Sequence, residues 1–165
     1  MKVTRTFDIL ERGVEIYNGR TVIACKQNGS WIEYDIHAYI ENTNNLSFGL
    51  LELGMKKGDR VATVSNNRPE WNFVDMAASQ TGMVHVPIYS TISNDEYKHI
   101  LSHSESRIIF VENKALYDKL KPIAAEIPAI IGIYSFVKSE EIPFWEEIAI
   151  KGKSVANQYK EELSR

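Results

Sequence analysis

Apolar positions recur along this chain at helical spacing in some segments and cluster in short runs in others, and the alternation between the two lays out its elements. Phe7, Leu10, Val14 and Tyr17 stand at helical spacing, which predicts an amphipathic helix over residues 5–18, stopped by Asn18-Gly19. Two short β-rich runs follow, 21–26 and 30–34. The Gln27-Asn28-Gly29 between them predicts a hairpin, because Asn and Gly tolerate the positive φ of a tight turn. Asp35 is placed to cap a second helix running through Ile36, Tyr39, Ile40, Leu46 and Leu50 to Leu53, with Gly54 as its left-handed end. Lys57-Gly58-Asp59 then turns the chain into the apolar run Val61-Ala62-Thr63-Val64.

From there the pattern is regular. A strand over 60–65 leads through Ser65-Asn66-Asn67-Arg68 to Pro69, which opens a helix ending near Gly82. A strand over 83–88 follows, and Ser93 with Glu96 makes a capping-box spacing for a helix over 94–103. A strand at 107–111, a helix at 114–125 and, after Pro128, a strand at 129–134 complete the series. Consecutive β-α-β steps joined by short loops predict an α/β fold: a parallel sheet with right-handed crossovers over residues 60–134, preceded by a helix–β-hairpin–helix lead-in. Beyond it, Ile142, Trp145, Ile148 and Ala149 suggest a short helix after Pro143, and 154–163 a second. Lys160-Glu161-Glu162-Leu163-Ser164-Arg165 reads as the middle of a polar helix with no stop signal, so the chain is expected to continue in a longer protein.

The helix faces sort the candidate chemistry. On 70–82, Trp71, Phe73, Val74, Ala77, Ala78 and Gly82 share one arc and are expected to pack in the core, with Asn72, Asp75, Ser79 and Gln80 opposite. On 94–103, Tyr97, Ile100 and Leu101 face inward. His99 and His103 lie together on the other side. Histidines four apart can share a metal, but Ile100 stands where a metalloprotease motif needs Glu, and no third ligand is evident. They are expected to face solvent, where they could pick up metal. His85, between Val84 and Val86, is expected in the core or at a strand end. Cys25, the single cysteine, allows no intrachain disulfide and is expected to be a small buried hydrophobe.

Composition narrows the classes. The 165 residues fit one domain, and 44% hydrophobic with 25% charged residues argues for a packed globule. A net charge of −3 spread in mixed signs offers no basic stripe for nucleic acid. No apolar run approaches a membrane span and the first residues lack a signal core, which makes a cytoplasmic setting the default. Gly49, Gly54 and Gly58 do not make a phosphate loop, since Met55 follows Gly54. G-x-G-x-x-G and G-x-S-x-G are absent, and the pairs Glu140-Glu141, Glu146-Glu147 and Glu161-Glu162 read as solvated helix faces. No catalytic, cofactor-binding or metal residue is assigned. By the rule that open α/β sheets bind ligands at the carboxyl ends of their strands, 65–68 and 89–91 are the segments to watch.

One ordered set of segments carries a resemblance. Gly54-Met55-Lys56-Lys57-Gly58-Asp59-Arg60-Val61-Ala62 is followed by Ser65-Asn66-Asn67-Arg68-Pro69-Glu70-Trp71. Then come Gly82-Met83-Val84-His85-Val86-Pro87-Ile88-Tyr89-Ser90-Thr91 and Glu96-Tyr97-Lys98-His99-Ile100-Leu101-Ser102-His103-Ser104-Glu105-Ser106-Arg107. Together they resemble the N-terminal region of AMP-forming acyl-CoA synthetases, within the adenylate-forming ligase superfamily. Asn-Arg-Pro-Glu-Trp and Val-Pro-Ile-Tyr-Ser-Thr most resemble its long-chain fatty acid branch. The resemblance fades after Tyr134.

It implies that 1–165 is part of an N-terminal AMP-binding domain: a lead-in (1–54), a βαβ core (55–134) and a truncated helical tail (135–165). The implied partners are a fatty acid, ATP with Mg²⁺, and coenzyme A, with peripheral membrane contact possible. The carboxylate attacks the α-phosphate, giving an acyl-adenylate and pyrophosphate, and the CoA thiol then displaces AMP. The family's phosphate loop, Tyr-Gly-x-Thr-Glu segment, ribose Asp and C-terminal lysine have no counterpart here, so the piece is expected to be inactive alone. Lys119 and Lys121 are the nearest candidates for a basic contact to the CoA nucleotide, against the simpler expectation of a solvated helix face. Two alternatives stand beside this reading: an aryl-acid or luciferase-like ligase, and a free-standing non-catalytic α/β binding domain. Oligomeric state is not legible.

Overall fold

The computed structural model describes residues 3–27 and 29–163. Helix α1 (Asp8–Tyr17) precedes a hairpin of β1 (Thr21–Gln27) and β2 (Ser30–Asp35), and α2 (Ile36–Glu52) leads to the main sheet. There β3 (Arg60–Val64), β4 (Val84–Ile88), β5 (Ser106–Val111) and β6 (Gly132–Ser135) alternate with α3 (Pro69–Thr81), α4 (Asn94–His103) and α5 (Lys114–Ala125). The chain ends in α6 (Trp145–Leu163).

The predicted punctuation is where the sequence put it. Asp35 accepts the Ala38 amide at 2.7 Å, Ser93 and Glu96 close a reciprocal capping box, and Gly54 takes a left-handed φ of 79°. The hairpin turns at Gly29, while Asn28 lies outside the described residues. Helix α1 begins later than its apolar spacing suggests. The Asp8 carboxylate accepts the Thr4 and Arg5 amides and the Arg5 Nε, folding residues 4–7 into a turn before the helix. These bonds, the arginine's first, hold the Asp8 pKa well below the usual carboxylate range.

The four strands are parallel in the order β4-β3-β5-β6, with Val61 opposite His85 and Ile108, and Ile109 opposite Ile133. The chain therefore steps from β3 to one side and returns across it to β5, which places successive right-handed crossovers on opposite faces. Phe73, Val74, Ala77 and Ala78 of α3 pack with α2 and α6 over Val61, Ile108 and Phe110. On the other face Tyr97, Leu101 and Leu120 cover Ala62, Val64, Ile109 and Val111. A third small cluster of Leu10, Ile36 and Met76 seats α1 and the start of α2 on α3.

The tail departs most from expectation. One continuous helix replaces the two short ones, because Gly152 is a contact point and not a break. A Cβ on Gly152 would lie 1.8 Å from the Asn45 carbonyl oxygen, and one on Gly49 would lie 2.1 Å from that of Ile148. The backbones of α2 and α6 thus touch, and Trp145, Ile148 and Ala149 reach the core. Three smaller corrections follow. The last strand starts three residues late, because the Ile130 amide still bonds the Ile127 carbonyl in the turn after α5. Cys25 is only half-buried, since the hairpin lies on the surface. Trp71 is half-buried as well, because the first turn of α3 overhangs the end of the sheet.

Gly152→Ala should destabilise the chain by about 1–3 kcal/mol or more, through overpacking against backbone that cannot yield. The sign is diagnostic, because the same change in a free helix interior stabilises it by roughly 1 kcal/mol. Urea denaturation of this variant beside exposed Lys151→Ala checks it; an unchanged midpoint for Gly152→Ala would refute the contact.

Candidate functional site

The loops at the carboxyl ends of β3 and β5 carry a network of polar side chains. Strands β3 and β5 are neighbours whose following helices leave on opposite faces, so the crevice between their ends is the topological switch point. The chain laces this crevice with its own side chains. Glu112 accepts from both the amide and the side-chain nitrogen of Asn66, at 3.1 and 2.9 Å. Arg68 turns inward and donates to the carbonyls of Glu112 and Phe136, with its guanidinium 5.1 Å from the Phe136 ring centre. It pairs with Glu70 through two 2.8 Å bonds, Nε to Oε2 and Nη2 to Oε1. The side chains of the pair are only 11% and 7% exposed. Pro69 between them fixes the backbone so that both point to one side.

Next to it lies a second buried network. His85 Nδ1 is 2.8 Å from Asp75 Oδ1, and its Nε2 is 2.8 Å from the hydroxyl of fully buried Thr63. With Nδ1–H donating to the carboxylate, Nε2 accepts from the hydroxyl, which satisfies every group with a neutral ring. Burial lowers the His85 pKa from the ordinary 6.5, against the opposing pull of Asp75. Trp71 lies over the imidazole at 4.7 Å between ring centres. Three elements are tied by this one side chain: β3 through Thr63, α3 through Asp75, and edge strand β4.

A cleft of about 280 Å³ opens above it, lined by Ser65, Asn67, Trp71, Pro87, Ile88 and Tyr89. The two loops marked from sequence do meet here, but selectively: Arg68 is committed to the interior, and Ser90 and Thr91 do not line the cleft. Tyr89 is 83% exposed at its rim, and its carbonyl accepts from the Tyr97 hydroxyl of α4. Two larger clefts, of about 640 and 610 Å³, lie among α1, α2, α6 and the loops before β3 and β4. The first opens at the amino ends of β3 and β4 and the second lies among helices, neither at the carboxyl ends where open α/β sheets bind ligands, so position outweighs size.

Lys119 is not the solvated residue expected. It is half-buried, donates to the Ile92 carbonyl at 3.0 Å and sits 4.7 Å from the Tyr97 ring centre, anchoring the loop before α4. Lys121 is exposed beside Tyr117. His99 and His103 are exposed, with rings stacked 5.8 Å apart. Sequence reasoning missed the pairing of His85 with Asp75 and of Arg68 with Glu70. The available signal was polar residues set at inward positions: Thr63 within an apolar strand, and Glu70 beside Pro69 at a helix start.

Comparison with known proteins places the chain. The profile of the family described as AMP-binding enzyme matches residues 10–163, and the chain belongs to that family. It is 36% identical over 101 residues to fatty acyl-CoA synthetase A of Dictyostelium discoideum, covering 61% of this chain and 15% of that one. Its fold matches a long-chain-fatty-acid-CoA ligase from Archaeoglobus fulgidus with a TM-score of 0.77 at 20% identity, covering 92% of this chain and 31% of that one. An anthranilate CoA ligase bound to anthranoyl-AMP matches with a TM-score of 0.77 at 19% identity, over 90% and 28% of the two chains. The chain thus spans only a small share of these proteins.

Two outcomes test the site's construction. Arg68→Ala should cost about 3–5 kcal/mol by stranding the buried Glu70 carboxylate, and Arg68→Met with Glu70→Leu should recover most of it. Equal losses in the single and double variants, by urea denaturation, would show that the pair is not the cause. For His85, folding favours the neutral ring, so its contribution is complete above the ordinary pKa of 6.5. It drains away as the pH falls below that value, because the unfolded chain takes up the proton first. His85→Gln should flatten the fall in stability between about pH 6.5 and the folded-state pKa, and a pH series of urea midpoints that stays parallel to wild type would contradict it.

Proposed function

We propose that this chain is the N-terminal part of a long-chain fatty acid–CoA ligase, made of the lead-in 1–54, the βαβ core 55–134 and the helical tail 135–165. The longer protein joins a fatty acid to coenzyme A through an acyl-adenylate, using ATP. The family match over residues 10–163, with a fatty acyl-CoA synthetase and a long-chain-fatty-acid–CoA ligase among the relatives, carries this reading. Mg²⁺ belongs to it as the partner of ATP. The residues present do not suit the nucleotide: they include no glycine-rich phosphate loop, and among the described residues no group of three acidic, histidine or cysteine side chains could hold a metal ion. Adenylation therefore depends on segments outside this chain, which supplies one wall of the fold and is inactive alone.

No helix among the described residues is long and apolar enough to cross a membrane. Membrane contact of the longer protein, where it occurs, is proposed to be peripheral. A cytoplasmic location fits the lone free thiol of Cys25, and no nucleic-acid partner is proposed for a chain of this charge. The aryl-acid reading stands as the alternative, because the fold is equally like that of an anthranilate CoA ligase.

Pyrophosphate release by the longer protein, assayed with ATP, CoA and a panel of acids, should depend on long-chain fatty acids and be at background with aryl acids. The 165-residue chain should release none. Turnover with aryl acids alone would overturn the substrate class, and turnover by the short chain would overturn its dependence on the rest.

A further inference from the structure

We propose that His99 and His103 form a two-imidazole site for a borderline divalent transition ion such as nickel, copper or zinc. They stand one turn apart on α4, both exposed, with ring planes within 7° of parallel and centres 5.8 Å apart. Residues four apart on a helix are surface neighbours, so both rings can tilt toward one ion without moving backbone. Neutral imidazole suits these ions and not the harder magnesium or calcium.

The other histidines show why this pair is the available one. His85 has both ring nitrogens engaged, and His37 Nε2 is bound to Asn18 at 2.7 Å. The local charge also favours a cation. Lys98, the nearest ammonium in sequence, is drawn to Glu126 on the far side at 2.5 Å, and exposed Asp95 stands one turn before His99 on the same stripe. The helix bearing the pair is well set: its capping box holds the amino end, and Tyr97 and Leu101 are fully buried beneath it. Water would complete the ion's shell. The expected consequence is a clamp on the last two turns of α4, since an ion that binds only the folded form stabilises it.

Calorimetric titration of Ni²⁺ into the untagged 165-residue chain, in a non-chelating buffer, tests this. Saturable uptake of a single ion is expected, with a rise in Tm, and no uptake of Mg²⁺. His99→Gln and His103→Gln should each weaken binding by on the order of a hundredfold, the advantage of linking two ligands. Lys98→His combined with His99→Ser keeps the number of imidazoles but sets them five apart, on different faces, and should bind as poorly as the single variants. Wild type that shows no saturable heat, or binds no tighter than this double variant, overturns the site. So does saturable binding that survives both single changes.

Discussion

Two helices that are remote in sequence meet backbone to backbone at Gly49 and Gly152, and one whole face of the sheet depends on that meeting. Without side chains at these positions, the axes of α2 and α6 come close enough for Leu46, Leu50, Trp145, Ile148 and Ala149 to form a single buried layer over Val61 and Phe110. Close-packed interiors transmit such constraints, because a displaced helix leaves voids that its neighbours cannot fill. Helix α2 also carries Tyr39, which packs against Phe73 of α3, so the same contact sets the position of the helix that builds the rim of the candidate site.

What the rim does with that position is satisfy its own polar groups. Parallel strands end by presenting carbonyls and loops to one side, and buried groups left there without partners are costly. Arg68 answers for the ends of β5 and β6 while neutralising Glu70. His85 answers for Thr63 and Asp75. Both networks are self-contained, and the cleft sits above them. Of its lining residues Asn67, Pro87 and Tyr89 are exposed, and Ile88 is buried beneath them.

The elements were legible in the sequence because they rest on local rules. Capping by Asp35, the Ser93–Glu96 box and the short apolar run at Val61 act over a few residues, and the structure keeps them. Long-range meaning was not legible. Lys151-Gly152-Lys153 reads locally as a break in a polar segment, and only the partner helix reveals a contact. Trp71 shares the apolar arc of Phe73, yet the arc runs past the edge of the sheet, so the same face packs in the core at one end and overhangs a cleft at the other. The pairing of Asp75 with His85 depends on how α3 crosses its strands, which no spacing states. The two loops of the candidate site were marked by topology, whereas which of their residues reach the cleft is decided by Arg68 turning inward.

Charge supports the proposal that this part of the fold supplies a wall and not the reaction. In the proposed reaction the adenylyl group of ATP passes to the carboxylate and pyrophosphate leaves, and a site that handles these phosphates needs cations or amide donors in surplus. Three of the cations near the rim are engaged by neighbouring groups. Arg68 is held by Glu70, Lys114 by Asp118 and Glu141, and Lys119 by the Ile92 carbonyl and the Tyr97 ring. Freeing Arg68 would leave Glu70 buried and unpaired, at a cost comparable to a large part of a domain's stability. These basic side chains hold loops in place, which supports the proposal that the groups balancing the phosphates lie in other segments of a longer protein.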